Sequence, residues 1–152
     1  MDITKRQWNN IHKKLNRLED TINYIKNNLL KKQMKYLKFE ECIPPSSICK
    51  DVNSMMNGVN NYEGFIGRLS SYYGCEPMGL FVDKTINPKH IAEYRPLIKN
   101  AYTRKTTCDK KDVLHEYFHH LVNLNVVVID KKKEEYYADE YAKLFLERVN
   151  SG

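Results

Sequence analysis

Seven large apolar residues recur at regular intervals near the start of the chain: Trp8, Ile11, Leu15, Leu18, Ile22, Ile25 and Leu29. Their spacings of 3, 4, 3, 4, 3 and 4 make a seven-residue repeat over three heptads, on a run with neither Gly nor Pro. Only a helix brings such residues into one line. The pattern therefore predicts a long amphipathic helix from about residue 3 to beyond residue 30, apolar on one face and rich in Lys, Arg and Asn elsewhere. Three coverings for the stripe are open: the protein's own body, a second copy in a coiled coil, or an acidic surface or membrane.

Charge is gathered on the same segment. The chain carries 25 Lys and Arg against 19 Asp and Glu, a net charge of +6. Residues 1–40 hold ten of the basic and four of the acidic residues, and the remainder is balanced at fifteen each. A localised surplus of this kind leaves contact of residues 1–40 with nucleic acid or an acidic surface open.

Composition sets the outer limits. With 152 residues, 41% hydrophobic and 29% charged, and only 5 Pro and 6 Gly, the chain has the make-up of one globular domain. That excludes wholesale disorder, collagen-like repeats and a small disulfide scaffold. No window approaches 18 consecutive apolar residues, so no transmembrane helix is expected. The first residues lack the apolar core of a secretory signal, which predicts a cytoplasmic protein. Cys42, Cys49, Cys75 and Cys108 form no CxxC pair, so they carry no zinc-ribbon or thioredoxin signal; reduced thiols are expected, with one or two disulfides the alternative in a hyperthermophile.

Three stretches follow along the chain, read together as one compact unit: the basic helix over 1–40, a helical connecting segment over 41–78, and residues 79–152. Pro44-Pro45 marks a joint. Tyr62, Phe65, Ile66, Leu69 and Tyr73 recur at helical spacing, and Gly74 suits that helix's C-terminus, with the Asn-rich stretch around 57–61 before it. Gly79 to Asp83 and Leu97 to Arg104 read as strands. Asp109 is placed to cap a helix with a wide apolar face made by Val113, Leu114, Tyr117, Phe118, Leu121 and Val122. Val126 to Ile129, short and β-branched, breaks that helix, and Asp130 caps a last one running to about Val149. The class is α+β, mostly helical.

The chemistry sits on the two final helices. His115-Glu116-Tyr117-Phe118-His119 is an HExxH sequence. Histidines four apart project from one helical face, one turn above the other, and can share a tetrahedral ion. Glu116 lies beside that position, where it can take a proton from a metal-activated water. A metzincin would need Gly at position 122 and His at position 125, but Val122 and Asn125 stand there. The last helix offers Glu135 and Asp139, four apart on one face. Such a pair lets the glutamate bind the metal while the aspartate holds a ligand histidine by its other ring nitrogen. Ala138 and Ala142 would allow the two helices to approach closely. Lys131, Lys132 and Lys133 read as a solvated turn.

HExxH followed by Glu135-Tyr136-Tyr137-Ala138-Asp139, an ExxAD element, resembles the gluzincin zinc metallopeptidases, and among them the membrane-embedded gluzincins and their small soluble relatives, the minigluzincins. Tyr141-Ala142 is similar to the aromatic-alanine pair of the cytoplasmic peptidases that cleave phage-type repressors. Asn100-Ala101-Tyr102 resembles the Asn-Ala-aromatic motif of thermolysin-like enzymes, carried on the edge strand of the cleft. The resemblance spans about residues 79–149, with only fifteen residues between His119 and Glu135. It implies a zincin-like catalytic core of short sheet, HExxH helix and glutamate helix. It further implies Zn2+ on His115, His119 and Glu135, Glu116 as general base, Asp139 behind a ligand, and a peptide or protein substrate held by Asn100, Ala101 and Tyr102.

The expected activity is thus hydrolysis of peptide bonds by an endopeptidase. Tyr94, His90, Tyr136 and Tyr137 are the candidates for stabilising the oxyanion, and His120 reads as a bystander about 100° around the helix. The segment before the core could keep the enzyme latent by restricting its cleft, or could join copies through the heptad face. A thiolate of Cys42, Cys49 or Cys75 could occupy the open metal position. The rival readings are a zinc-binding regulator without activity and a coiled-coil interaction protein.

Overall fold

The computed structural model describes residues 4–34, 37–55, 62–104 and 109–151, with side chains beyond residue 26 of the first helix left aside. The chain is α+β and mostly helical, with one long N-terminal helix and a small three-stranded sheet. Contacts divide it into two compact units, residues 1–35 and residues 36–152.

The first unit is one helix, α1 (Lys5–Met34). It opens on a reciprocal cap that satisfies two otherwise unpaired amides: the Gln7 amide donates to the Thr4 hydroxyl (3.2 Å) and the Thr4 amide to the Gln7 side-chain oxygen (2.9 Å). Near that end the Trp8 ring stands edge-on to His12, with centroids 4.8 Å apart.

The second unit begins with Leu37, which forms an isolated parallel bridge with Val127. Helices α2 (Phe39–Cys42), α3 (Ser46–Ser54) and α4 (Tyr62–Tyr73) follow. Next come strands β1 (Gly79–Val82), β2 (Ala92–Arg95) and β3 (Asn100–Thr103). Helix α5 (Lys110–Asn123), a 3-10 turn (Lys131–Lys133) and α6 (Glu134–Asn150) complete the fold. Cys42, Cys49, Phe65, Leu69, Leu114, Phe118, Tyr141 and Phe145 meet in one buried core. Ala138 and Ala142 are fully buried, as a close approach of α5 and α6 requires.

Both α4 and α5 stop in the same way. Gly74 follows α4 at φ 65°, with the Cys75 amide bonded to the Ser70 carbonyl. Asn125 follows α5 at φ 58°, with the Val126 amide bonded to the Leu121 carbonyl. Each is a left-handed residue closing the last turn by a 6→1 bond. The end of α5 therefore belongs to Asn125, and the β-branched run after it supplies the bridge to Leu37 instead. Asp130 caps the 3-10 turn, accepting from the Lys132 amide at 3.2 Å, and that turn leads into α6.

The sheet corrects one expectation. Its order is β1-β3-β2, with β1 parallel and β2 antiparallel to β3. Asn100 to Tyr102 therefore lie on the central strand, and no cleft edge is left there for a substrate to pair with. The Asn100 carboxamide lies over Gly79, where an added Cβ would collide with it. The edge beside α5 is β2, and residues 97–99, expected to begin a strand, belong to the turn over 96–99 that joins β2 to β3.

Candidate metal centre

Helix α5 sets His115 and His119 one turn apart, and their Nε2 atoms stand 3.2 Å from each other. Across from them α6 begins at Glu134, so Glu135 lies in its first turn. One Glu135 oxygen is 3.1 Å from His115 Nε2 and the other is 3.0 Å from His119 Nε2. Ligands about 2.0–2.1 Å from a tetrahedral ion sit roughly 3.3 Å from one another, close to these separations. His115, His119 and Glu135 form a group that could hold a metal ion.

The outward ring nitrogens are also engaged. His115 Nδ1 lies 2.8 Å from Asp139 Oδ1, as the sequence spacing implies. His119 Nδ1 lies 2.5 Å from Glu134 Oε2, a partner the sequence reading does not name. With each Nδ1–H donating to a carboxylate, each Nε2 turns its lone pair toward the shared point. The signal for Glu134 was present: two ligand histidines need two such partners, and Asp139 reaches only one.

Exposure is graded across the group. The His119 side chain is 10% exposed and that of Glu135 is 79% exposed, so the group is closed behind and open at the α6 side. Glu116 is buried next to the histidines. Burial pushes its carboxyl above the ordinary value, while His115 and His119 pull it back down. All four residues face a polar cavity of about 810 Å³, which Asp112, Ile91, Ala92, Glu93 and Tyr94 also line.

The remaining candidates separate. Tyr94 and His90 line the cavity, whereas the Tyr137 ring packs on Phe39 at 4.6 Å and Tyr136 lies on the exposed face of α6. His120 is no member of the metal group, yet it is not idle. It is fully buried, with Nε2 2.8 Å from the Glu76 carbonyl and Nδ1 2.8 Å from the Tyr94 hydroxyl. Burial holds its pKa down, so the neutral ring donates from Nε2 and accepts the Tyr94 proton on Nδ1. Asn123 donates to the same hydroxyl at 3.0 Å. Tyr94 is thereby fixed as a wall, its proton committed away from the cavity.

The thiol expectation does not hold. Cys42 and Cys49 are fully buried in the core, and desolvation pushes their thiols up to about 12 and about 11. Cys75 has its sulfur 3.7 Å from the Tyr117 hydroxyl, and none of the three lines the cavity. Cys42 and Cys49 are free thiols. Cys108 lies outside the described residues.

Among the described residues no helix is long and apolar enough to cross a membrane. No family model, curated protein or solved structure matches the chain.

Proposed function

We propose that this chain is a zinc-dependent peptidase of the gluzincin kind, with His115, His119 and Glu135 as ligands and Glu116 as general base. The observation that carries the reading is the meeting of two imidazole nitrogens and the Glu135 carboxylate within 4.8 Å of one another, each histidine backed by its own carboxylate. Two imidazoles and a carboxylate, with the fourth direction open, suit catalytic zinc.

When bound, zinc supplies a positive charge that acidifies water and polarises a peptide carbonyl. Glu116 accepts the water's proton and returns it to the leaving amine. Its buried carboxylate is the more basic for being desolvated, which suits the first of those steps. Asp139 and Glu134 hold the imidazoles in one tautomer, so the ligands do not reorient as the charge in front of them changes. The free edge of β2, whose residues line the cavity, offers main-chain groups to an extended peptide.

The test is cleavage of an unfolded protein such as reduced casein by the full chain. Activity should vanish with a chelator, return with zinc, and fall by about 10²–10⁴-fold in Glu116→Gln. Equal cleavage by wild type and Glu116→Gln would contradict the reading. Tight zinc binding without cleavage of any peptide would favour a regulatory protein instead.

A further inference from the structure

The apolar stripe of α1 has no covering within its own unit, which contains only that helix. Trp8, Ile11, Leu15, Leu18, Ile22 and Ile25 are each between 43% and 58% exposed. Six such residues in a line are an association surface. The question is what fits them, and the residues flanking the stripe answer it.

In heptad letters, Trp8, Leu15 and Ile22 are a positions, and Ile11, Leu18 and Ile25 are d positions. The flanking e positions hold Lys5, His12, Glu19 and Lys26, and the g positions hold Gln7, Lys14 and Thr21. Every flank is polar. A helix that lies on a protein core or sinks into lipid widens its apolar face into e or g, whereas a strict a/d seam is that of a coiled coil. The other faces of α1 are then left to its Lys, Arg and Asn, which stay in water.

We propose that α1 pairs in parallel with the α1 of a second copy of this chain. Charge chooses the orientation. In a parallel pair each g residue meets the e residue five positions later on its partner. Lys14 then meets Glu19, twice by symmetry, while Gln7 meets His12 and Thr21 meets Lys26. One attractive contact is made and no like charges meet. Each antiparallel register that stacks at least four a-on-d layers between Trp8 and Ile25 brings like charges together: Lys5 on Lys26, Lys14 on Lys14, or Glu19 on Glu19.

Sedimentation equilibrium of the full chain tests this. The wild type should have the mass of a dimer, and Leu18→Lys, which puts a charge in the seam, that of one chain. Lys14→Glu alone and Glu19→Lys alone should each weaken the dimer about tenfold, since both pairs turn from attraction to repulsion. Mixed one to one, these two variants should form a hetero-dimer at least as tight as wild type, because both contacts are again opposite in sign. Circular dichroism would establish that each variant keeps its helices. A single-chain mass for the wild type would overturn the proposal, and co-flotation of that single chain with anionic vesicles would assign the stripe to a lipid surface. Dimers untouched by Leu18→Lys would place the interface elsewhere, and charge variants that fail to rescue one another would exclude the parallel arrangement.

Discussion

Helices α1 and α5 both carry apolar residues at helical spacing, yet they solve opposite problems. The apolar residues of α5 come in adjacent pairs (Val113-Leu114, Tyr117-Phe118, Leu121-Val122), so its face is wide, and five of these six are fully buried. From Trp8 to Ile22 those of α1 come singly, so its face there is a narrow seam, and it is exposed. Width, more than periodicity, reports what will cover a helix. A wide face is buried against several neighbours of the same chain, and the neighbours of α5 are α6 and β2. A narrow seam needs one helix like itself. The difference also explains where the candidate metal centre lies, because only a helix locked on several sides holds His115, Glu116 and His119 in register with a second helix.

The sharpest test of that contrast trims one large side chain from each helix. Phe118→Ala should lower the stability of residues 36–152 by about 3–5 kcal/mol in urea unfolding, the cost of a lost ring and the cavity left behind. Leu18→Ala should change that transition by less than about 0.5 kcal/mol, since its effect falls on the association of α1. Similar losses in the two variants would break the comparison.

A second test compares carboxylates. Glu134→Gln and Asp139→Asn should each weaken zinc binding by about 10–100-fold, because each removes the acceptor behind one histidine. Competition with a chromophoric chelator measures this. Glu19→Gln, on α1, should leave the zinc affinity unchanged.

The smallest effect is one of pH. Cys42 and Cys49 have folded-state thiol values raised from 9.0 to about 12 and about 11, first of all by burial. A raised value means that the folded state holds the proton that the unfolded chain has lost, so unfolding releases protons there. Their contribution is fully present below pH 9.0 and is lost as pH rises from there toward about 12. The urea midpoint should show an added decline over that window, reduced in Cys42→Ala. At pH 8 both thiols should resist alkylation in the folded protein and react freely once it is unfolded.

Much of the site was legible because its residues report themselves by spacing. His115 and His119 four apart, and Glu135 and Asp139 four apart, need only a helix each to fall on one face. Gly74 announced the end of α4 for a similarly local reason, its access to positive φ. What failed was non-local. Ala92-Glu93-Tyr94-Arg95 has no β-branched residue and becomes a strand only through its pairing with β3, so its propensity gave no warning. Asn100 to Tyr102 was assigned to an edge by resemblance, and the order of strands is a property of the whole sheet. His120 looked idle because the carbonyl of Glu76 and the hydroxyl of Tyr94 reach it from distant parts of the chain.

Zinc stoichiometry, measured by elemental analysis after exhaustive dialysis of the full chain, tests the central claim most directly. The account predicts one zinc per chain in the wild type and in Glu116→Ala, and far less than one in His119→Ala and Glu135→Ala, with all four proteins folded by circular dichroism. Equal zinc in wild type and Glu135→Ala would remove α6 from the metal centre, and loss of zinc in Glu116→Ala as complete as in His119→Ala would contradict the division between ligand and base.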